Sequence, residues 1–174
     1  MGDEKSGGQF FRAKLNGVTP VAVKHIRIAE RAAPTLADQD LYTKFLNETI
    51  ISCTTQGPSL LQFYGIFWDA SRSGPVLDFY TVSELCVGGD LRGVLYEDPP
   101  DDVDPTTSPA AVVAKPRLSN DILRQLLMEI LAGVAYLHDN NVVHSDLRPE
   151  HVMLLRPLDP VEGVHPGVVK IVDH

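Results

Sequence analysis

The feature that most constrains this sequence is a short polar loop enclosed by two apolar segments, at residues 142–154. The loop places four chemically active side chains within eight positions, namely His144, Asp146, Arg148 and His151. It follows a long apolar helical pattern and leads directly into an apolar run. Loops held by core segments at both ends keep functional side chains in defined positions, so the pattern indicates a catalytic or ligand-binding loop. The alternative is a chance polar connection between a helix and a strand.

The segment before this loop has the pattern of a long helix with a wide apolar face. Ser119 is a favourable N-cap residue, and Asp121 lies in the first turn, where a negative charge is stabilising. The apolar positions, which extend over about half of the circumference, are Ile122, Leu123, Leu126, Leu127, Ile130, Leu131, Val134 and Leu137. A surface helix needs a narrower apolar face, so we expect this helix to be covered on several sides.

The remaining segments predict short strands and two further helices. Asn16-Gly17 between apolar runs predicts a two-residue hairpin turn. Helices are predicted at 37–54 and 90–96. Residues 98–116, rich in Asp, Pro, Thr and Ala, predict a disordered or mobile insertion. The segments predicted to form strands are 10–15, 20–28, 60–68, 76–85 and 168–172.

The loop at 142–154 resembles the catalytic loop of protein kinases, which reads His-Arg-Asp-Leu-Lys-Pro-Glu-Asn. In that family an aspartate orients the substrate hydroxyl and accepts its proton, and a cation two residues later faces the transferred phosphate. An asparagine after these residues holds a metal ion. The resemblance implies that Asp146 is the base, that Arg148 is the cation and that His151 is a metal ligand.

Two more segments resemble kinase motifs, in the order that the family requires. Val21-Ala-Val-Lys24 is similar to the strand whose lysine holds the ATP phosphates, and Glu48 on the next predicted helix is similar to the partner of that lysine. The strand that ends in Asp173 is similar to the one that enters Asp-Phe-Gly, whose aspartate binds Mg²⁺. The resemblance implies that Lys24 and Glu48 position phosphate and that Asp173 binds the metal.

Residues 79–91 resemble the strand, hinge and turn that hold adenine in protein kinases. The resemblance implies that the backbone of Glu84 and Cys86 binds the base and that Asp90 reaches the ribose. Ser83 takes the place of a small gatekeeper residue. The other positions implied to contact the nucleotide are Gly8, Phe10, Ala22 and Met153.

The sequence departs from the kinase pattern at several places, and one of them is Phe10, which replaces the usual valine over the adenine. Of the glycine-rich phosphate loop, Gly8 alone stands at an expected glycine position. Ser145 replaces the arginine that usually reads a phosphorylated activation loop. His151 replaces the metal-binding asparagine, and an imidazole suits Mn²⁺ better than Mg²⁺. His174 stands where a phenylalanine usually packs.

The resemblance implies an α+β, protein-kinase-like fold. We expect an N-terminal antiparallel sheet lobe with one helix at 1–84, and a hinge with a partial helical C-terminal lobe at 85–174. Because the sequence stops next to Asp173, we also expect it to be a fragment of a longer kinase domain.

The function implied for the complete protein is transfer of a phosphoryl group from ATP to protein hydroxyls, with Mg²⁺ or Mn²⁺ as cofactor. The partners expected are ATP and a protein substrate or regulatory protein. The Leu-Arg148-Pro-Glu segment favours a serine/threonine or tyrosine-kinase-like enzyme. Two alternatives stay open: a pseudokinase that binds nucleotide or acts as a scaffold without turnover, and a small-molecule phosphotransferase.

Charge and cysteine content exclude several other classes of partner and site. The net charge of −8 argues against nucleic acid as the main ligand. No apolar run is long enough to predict a membrane span. Cys53 and Cys86 offer no disulfide framework, which favours a reducing, cytoplasmic location. The six histidines show no i, i+4 pair and no nearby cysteine pair, so we expect no dedicated zinc site.

Overall fold

The computed structural model describes residues 8–29, 36–69, 76–97, 113–114, 118–158 and 167–173. The chain divides into two compact units. The first comprises residues 1–57 and 61–85, and the second comprises residues 58–60 and 86–174. Among the described residues, the first unit contains an antiparallel sheet with one helix, and the second contains two helices with short strand pairs. The predicted α+β class is therefore confirmed.

The first unit begins with the predicted hairpin. Strand β1 (Gly8–Leu15) pairs antiparallel with strand β2 (Thr19–Ala29) over the whole length of β1. The turn has Asn16 at φ 52° and Gly17 at φ 75°, and the Val18 N–H donates to the Leu15 carbonyl at 3.2 Å. Two successive positive φ values match the right-handed twist of the flanking strands, and Asn-Gly adopts them with little strain. Local sequence alone is sufficient for this element.

Two further strands complete a four-stranded sheet in the order β1-β2-β4-β3. Strand β3 covers Phe63–Trp68 and strand β4 covers Val76–Glu84, and each neighbouring pair is antiparallel. The prediction of a strand from residue 60 was wrong at its start. Leu60 is fully buried and forms a bridge to Ile171 in the second unit, because its side chain belongs to that core.

Helix α1 (Leu36–Thr54) packs on this sheet through an aromatic contact. Phe45 is buried against Ile26, Ile66 and Phe79, and the rings of Phe45 and Phe79 lie 5.1 Å apart in a tilted arrangement. Such a pair stabilises more than its buried area alone, by about 0.5–1.5 kcal/mol. This small core fixes α1 against the strand that carries Lys24.

A buried carboxylate joins β2 to β4. Asp78 is 4% exposed and lies 2.6 Å from Nε2 of His25 and 3.2 Å from Nε of Arg27. The His25 ring stacks on Tyr80 at 4.8 Å, which holds it in place. The hydrogen bond with His25 lowers the pKa of Asp78 most, and the hydrogen bond and positive charge of Arg27 lower it further, although burial acts in the opposite direction.

This shift predicts a loss of stability in acid. A carboxyl group whose pKa is lowered by folding stabilises the folded state above its ordinary pKa of 3.8, and that stabilisation disappears as the pH falls below this value. The urea midpoint should therefore fall as the pH is lowered from 5 through 3.8 to about 2, by more in the unaltered chain than in Asp78→Asn. Urea midpoints that fall equally with pH in the two proteins would show that Asp78 does not contribute to the loss of stability in acid.

The second unit is built around the long helix α3. In chain order its elements are α2 (Leu91–Leu95), β5 (Tyr96–Glu97), β6 (Val113–Ala114), α3 (Asn120–Asp139), a 3-10 turn (Pro149–His151), β7 (Val152–Leu154) and β8 (Val169–Ile171). Ser119 caps α3 as predicted, since its hydroxyl accepts from the Ile122 N–H. Most of the predicted insertion at 98–116 lies outside the described residues, and its residues 113–114 pair with β5.

Two cores hold this unit together. Ile122 and Leu126 of α3 pack against Val152, Leu154 and other residues of the β7–β8 pair. Further along α3, Leu137 packs with Leu60 and Ile171. Gly133 allows this approach, because a Cβ there would lie 2.7 Å from the Ile171 side chain. No helix in the described part of the chain is long and apolar enough to cross a membrane.

The side of α3 that faces away from these two cores exposes a stripe of apolar side chains to solvent. The side chains of this stripe are between 42% and 61% exposed, and they are Leu123, Leu127, Met128 and Leu131. Burying the exposed half of four such side chains would gain about 3–6 kcal/mol. The predicted width of the apolar face is thus confirmed, and only part of that face is covered by the described residues.

We expect the stripe to bind apolar dyes. The 174-residue chain should enhance the fluorescence of an apolar dye while folded, and the double variant Leu127→Glu, Leu131→Lys should reduce the signal severalfold. The introduced glutamate and lysine are spaced i, i+4 with glutamate first. Such a pair stabilises a helix, so α3 should stay folded in the variant. Val18→Lys, at an exposed position in the first unit, is the control and should leave the signal unchanged. A dye-silent unaltered chain would contradict this expectation.

Candidate functional site

The polar loop is anchored to β8 through a buried histidine. His144 is 6% exposed, and its Nε2 lies 2.9 Å from the carbonyl oxygen of Val172, next to Asp173. Ser145 adopts φ 55°, and the Asp146 N–H donates to the His144 carbonyl at 2.7 Å. This tight turn directs the Asp146 side chain to an exposed position. The loop and the end of β8 are therefore held together although 28 residues separate His144 from Val172.

His151 lies between the two carboxylates of the loop and the strand. Its Nδ1 is 2.7 Å from the Asp146 carbonyl oxygen and 3.5 Å from the Asp146 carboxylate. Its Nε2 is 3.9 Å from Oδ2 of Asp173. The ring stacks on His144 with 6.0 Å between centroids. The three residues predicted as base and metal ligands thus lie in one cluster.

Asp173 owes its position to the backbone at the end of β8. Its φ is 56°, a left-handed conformation that aspartate tolerates better than most residues. The preceding Val172 N–H donates to the carbonyl of His151 at 3.0 Å. The backbone bond between Val172 and His151 holds the end of β8, and the chain turns sharply at Asp173. The Asp173 carboxylate therefore lies beside the His151 ring.

Arg148 lies between two carboxylates at the edge of this cluster. Its Nε is 3.9 Å from the Asp146 carboxylate and 3.8 Å from that of Glu150. Glu150 also lies 3.6 Å from Nε of Arg92 on α2. Sequence reasoning did not assign Glu150 any part in the site. The position of Glu150 two residues after Arg148 could have indicated a contact between them. The approach of Arg92 to Glu150 could be found only from the fold.

The segment before α2 follows the edge of β7. The N–H groups of Val87 and Gly88 donate to the carbonyls of Leu155 and Leu154, and Asp90 forms a bridge to Met153. Gly88 is required here, because a Cβ would collide with the backbone carbonyl of Arg156. The Asp90 carboxylate caps α2 by accepting from the Gly93 N–H at 2.7 Å. The structure thus shows Asp90 as the N-cap of α2, a role that the sequence did not predict, and the ribose contact stays a prediction.

In the first unit, the strands gather four predicted nucleotide-contacting residues on one sheet face. Phe10 stands opposite Lys24 in the β1–β2 register, and Ala22 stands opposite Ser83 in the β2–β4 register. Alternation along β2 places Ala22 and Lys24 on the same face. Nζ of Lys24 lies 5.9 Å from the centre of the Phe10 ring. Gly8 begins β1, opposite Ile26.

Glu48 and Glu84 make contacts that the sequence did not predict. Oε1 of Glu48 is 3.7 Å from Nζ of Lys44 on the same helix, and within the described residues no ion pair joins Glu48 to Lys24. The Glu84 carboxylate accepts from the Gln62 N–H at 2.7 Å, and the Glu84 N–H donates to the Gln62 carbonyl at 2.9 Å. Glu84 therefore joins the end of β4 to the residue preceding β3.

Comparison with known families matches almost the whole chain. The family model for protein tyrosine and serine/threonine kinases matches residues 6–174. The chain belongs to the protein kinase family. The kinase-like fold that the motifs predicted is therefore confirmed.

Similar curated proteins are protein kinases at low identity. A probable serine/threonine-protein kinase of Dictyostelium discoideum is 27% identical, over 84% of this chain and 20% of its own length. The serine/threonine protein kinase OSK3 of rice is 30% identical over 56% of this chain and 15% of its own. The human Nik-related protein kinase is 27% identical over 66% of this chain and 6% of its own. The chain thus spans a fifth or less of these relatives.

Two charged side chains that the motifs did not predict hold β8 in place. Glu129 on α3 accepts from the N–H groups of Gly167 and Val169, both at 2.9 Å. Lys170 donates through Nζ to the Pro58 carbonyl at 3.1 Å. Both act on the strand that leads to Asp173. Their partners are about 40 to 112 residues distant in sequence, so no local pattern could reveal these contacts.

The donor atoms near Asp173 fit a single divalent cation in part. A carboxylate oxygen is the ligand that Mg²⁺ prefers, whereas the neighbouring His151 supplies a nitrogen. Within the described residues, no group of three or more His, Cys, Asp or Glu is arranged to hold a metal ion. A cation here would therefore need further donors, such as phosphate oxygens of a nucleotide or water molecules.

Proposed function

We propose that this chain is the nucleotide-binding and catalytic part of a kinase that transfers the γ-phosphoryl group of ATP to serine or threonine hydroxyls of proteins. The observation that carries the proposal is the cluster in which His151 lies between the carboxylates of Asp146 and Asp173. Such a grouping offers a proton acceptor and a cation ligand side by side. Membership of the kinase family supports ATP as donor and a protein as acceptor.

In this proposal Asp146 orients the acceptor hydroxyl and takes its proton. Its carboxylate is exposed, and Nε of Arg148 lies 3.9 Å from it. Arg148 then faces the negative charge of the transferred group. Lys24 binds the α- and β-phosphates, and Ala22 and Ser83 on the same sheet face contact the adenine. The backbone of Glu84 and Cys86 binds the adenine edge.

Asp173 holds the divalent cation in this proposal, with His151 beside it. A cation bound there neutralises the charge of the phosphate oxygens. The names of the relatives and the Leu-Arg148-Pro-Glu segment favour serine or threonine as the acceptor. The absence of a disulfide framework in the sequence favours the cytoplasm as its location.

The test is transfer of label from γ-³²P-ATP, with the full-length protein that contains this sequence. Its substrates are a mixture of casein, histone and myelin basic protein, with small alcohols in parallel. We expect label on protein serine and threonine, identified by phosphoamino acid analysis. Label on small alcohols alone would replace the proposal with a small-molecule phosphotransferase.

One observation favours a second candidate, a pseudokinase that binds nucleotide without turnover. Glu48 pairs with Lys44 within α1, so the ion pair that positions Lys24 in active kinases is not formed among the described residues. ATP binding measured by calorimetry, together with the absence of label transfer, would establish this candidate.

A further inference from the structure

Strand β3 forms one edge of the four-stranded sheet. The strand order β1-β2-β4-β3 leaves one side of β3 without a neighbouring strand among the described residues. The strand, Phe63–Trp68, contains no charged residue and no proline, which are common means by which edge strands avoid pairing with another chain. A bulge lies at its start, between Phe63 and Gly65, so residues 65–68 run regularly beside β4. This regular part of β3 therefore has the features of an edge that pairs with a further strand.

The hydrogen bonds between β3 and β4 identify the backbone groups that point to the free edge. The Asp69 N–H donates to the Asp78 carbonyl at 3.2 Å, one step beyond the last pair of the β3–β4 register. Bonded and non-bonded pairs alternate along an antiparallel ladder. The backbone of Phe67 is therefore directed at β4, whereas the N–H and C=O groups of Ile66 and Trp68 point away from it. An added strand is the structure that bonds such a row of groups.

Two large aromatic side chains lie at this edge, one on each face of the sheet. Phe67 is 54% exposed and Trp68 is 64% exposed. Ile66 packs in the small core beneath α1, and alternation along the strand places Phe67 on the opposite face. On that face Phe67 stands opposite Tyr80, whose ring stacks on His25 at 4.8 Å. Phe67 thus ends a row of rings that crosses the sheet.

A second copy of β3 matches this edge. In an antiparallel pair with a two-fold axis at Phe67, Ile66 of each copy stands opposite Trp68 of the other. The outward backbone groups of both copies then bond to one another. Trp68 packs on Ile66 of the other copy, the two Phe67 rings face each other, and no charged side chain of β3 enters the pair. An axis at Ile66 would instead bring the irregular start of β3 into the pair.

We propose that this chain forms a weak dimer in which the β3 strands of two copies pair antiparallel about Phe67 and join the two sheets. Because both copies use the same edge, the pairing is isologous and stops at two chains. The pairing uses no residue that we assign to phosphoryl transfer, so it goes beyond the proposed function.

The size and charge of the contact set the strength of the dimer. An aromatic side chain buries about 150–250 Å², so the exposed parts of Phe67 and Trp68 give about 350–600 Å² over two copies. This area is below the roughly 1,200 Å² at which standard interfaces begin, which indicates a weak association. The net charge of −8 on each chain adds a repulsion that salt screens.

The experiment is analytical ultracentrifugation of the 174-residue chain over a wide range of concentrations, at low and high salt. The chain carries Leu127→Glu and Leu131→Lys, because the exposed stripe on α3 offers a second route to association. We expect a reversible equilibrium between monomer and dimer, without larger species. The dimer should tighten by about threefold or more between about 0.1 M and 1 M salt, as the Debye length falls from about 10 Å to about 3 Å.

A charge at the centre of the pair should separate the two copies. Phe67→Lys should weaken the dimer by at least about tenfold, because each lysine then faces its own copy. Val18→Lys makes the same change of charge at the exposed hairpin turn and is the control, which should dimerise no more weakly than the parent chain. A circular dichroism melt verifies that each variant is folded.

Cross-linking tests the register. With Cys53 and Cys86 replaced by serine, Phe67→Cys should form a disulfide-linked dimer under mild oxidation by copper phenanthroline. Directly opposite residues of a non-hydrogen-bonded pair have Cα atoms about 4.5 Å apart, which a disulfide spans. Trp68→Cys should cross-link far more slowly, since the two copies of residue 68 are diagonal neighbours about 7–8 Å apart.

Four results would overturn the proposal: a chain that stays monomeric over the whole range, species larger than the dimer, a dimer that Phe67→Lys does not weaken, or equal cross-linking of Trp68→Cys and Phe67→Cys. A monomeric chain would leave the edge to a strand of another protein. The equilibrium itself is measured with β3 unaltered, so a β3 variant that fails to fold does not block the test. No nucleotide is present, so failure of the dimer and failure of phosphoryl transfer are separate results.

Discussion

Asp146→Asn should lower the rate of phosphoryl transfer by roughly 10²–10⁴ while leaving ATP affinity intact. The amide cannot accept the proton of the acceptor hydroxyl at neutral pH. The substitution retains the backbone carbonyl that accepts from Nδ1 of His151, so the geometry of the loop should be preserved. The effect should therefore appear in kcat, measured with γ-³²P-ATP on the full-length protein, and not in the Kd for ATP from calorimetry.

The matched control is Asp139→Asn, since Asp139 is an exposed aspartate at the end of α3. This variant should transfer phosphate at the unaltered rate. An Asp146→Asn variant whose rate stays within about threefold of the unaltered enzyme would show that Asp146 is not the base.

Lys24→Met should weaken ATP binding by about 10- to 150-fold and leave adenosine binding nearly unchanged. One charge-assisted contact to phosphate is worth roughly 1.5–3 kcal/mol, which converts to that range of affinity. Methionine retains an unbranched side chain, and the substitution removes the ammonium group that lies 5.9 Å from the centre of the Phe10 ring. Calorimetric titration of both ligands into both proteins measures the difference.

Lys14→Met provides the control, because Lys14 is an exposed lysine on the neighbouring strand β1. Its affinity for ATP should equal that of the unaltered chain. An equal loss for ATP and adenosine in Lys24→Met would indicate general disruption of the sheet, and no loss for either ligand would exclude a phosphate contact.

Glu48 and Leu60 illustrate what a sequence pattern leaves undetermined. The spacing of α1 placed Glu48 at the position of the kinase glutamate, but side-chain pairing depends on the rotation of the helix, and Lys44 competes from the same helix. Leu60 lies in an apolar run typical of a strand, yet it forms a bridge to Ile171, which is distant in sequence and belongs with Leu60 to the second unit. For Glu48, a contact with a neighbour on the same helix forms in place of the predicted contact with Lys24. For Leu60, a contact with a distant segment forms in place of the predicted strand.

The sequence by itself determined the elements whose causes are local, and it determined the family. Asn16-Gly17 dictates the hairpin and Ser119 dictates the start of α3, because the atoms that satisfy those backbone groups lie within a few residues. The order of Lys24, Asp146 and Asp173 was sufficient to identify a kinase.

Only the tertiary structure decided how the site is held. The contact of His151 with the Asp146 carbonyl, its approach to Asp173 and the support of β8 by Glu129 depend on hydrogen bonds and close approaches between separate segments. Such interactions are set by packing geometry, which no residue pattern encodes on its own.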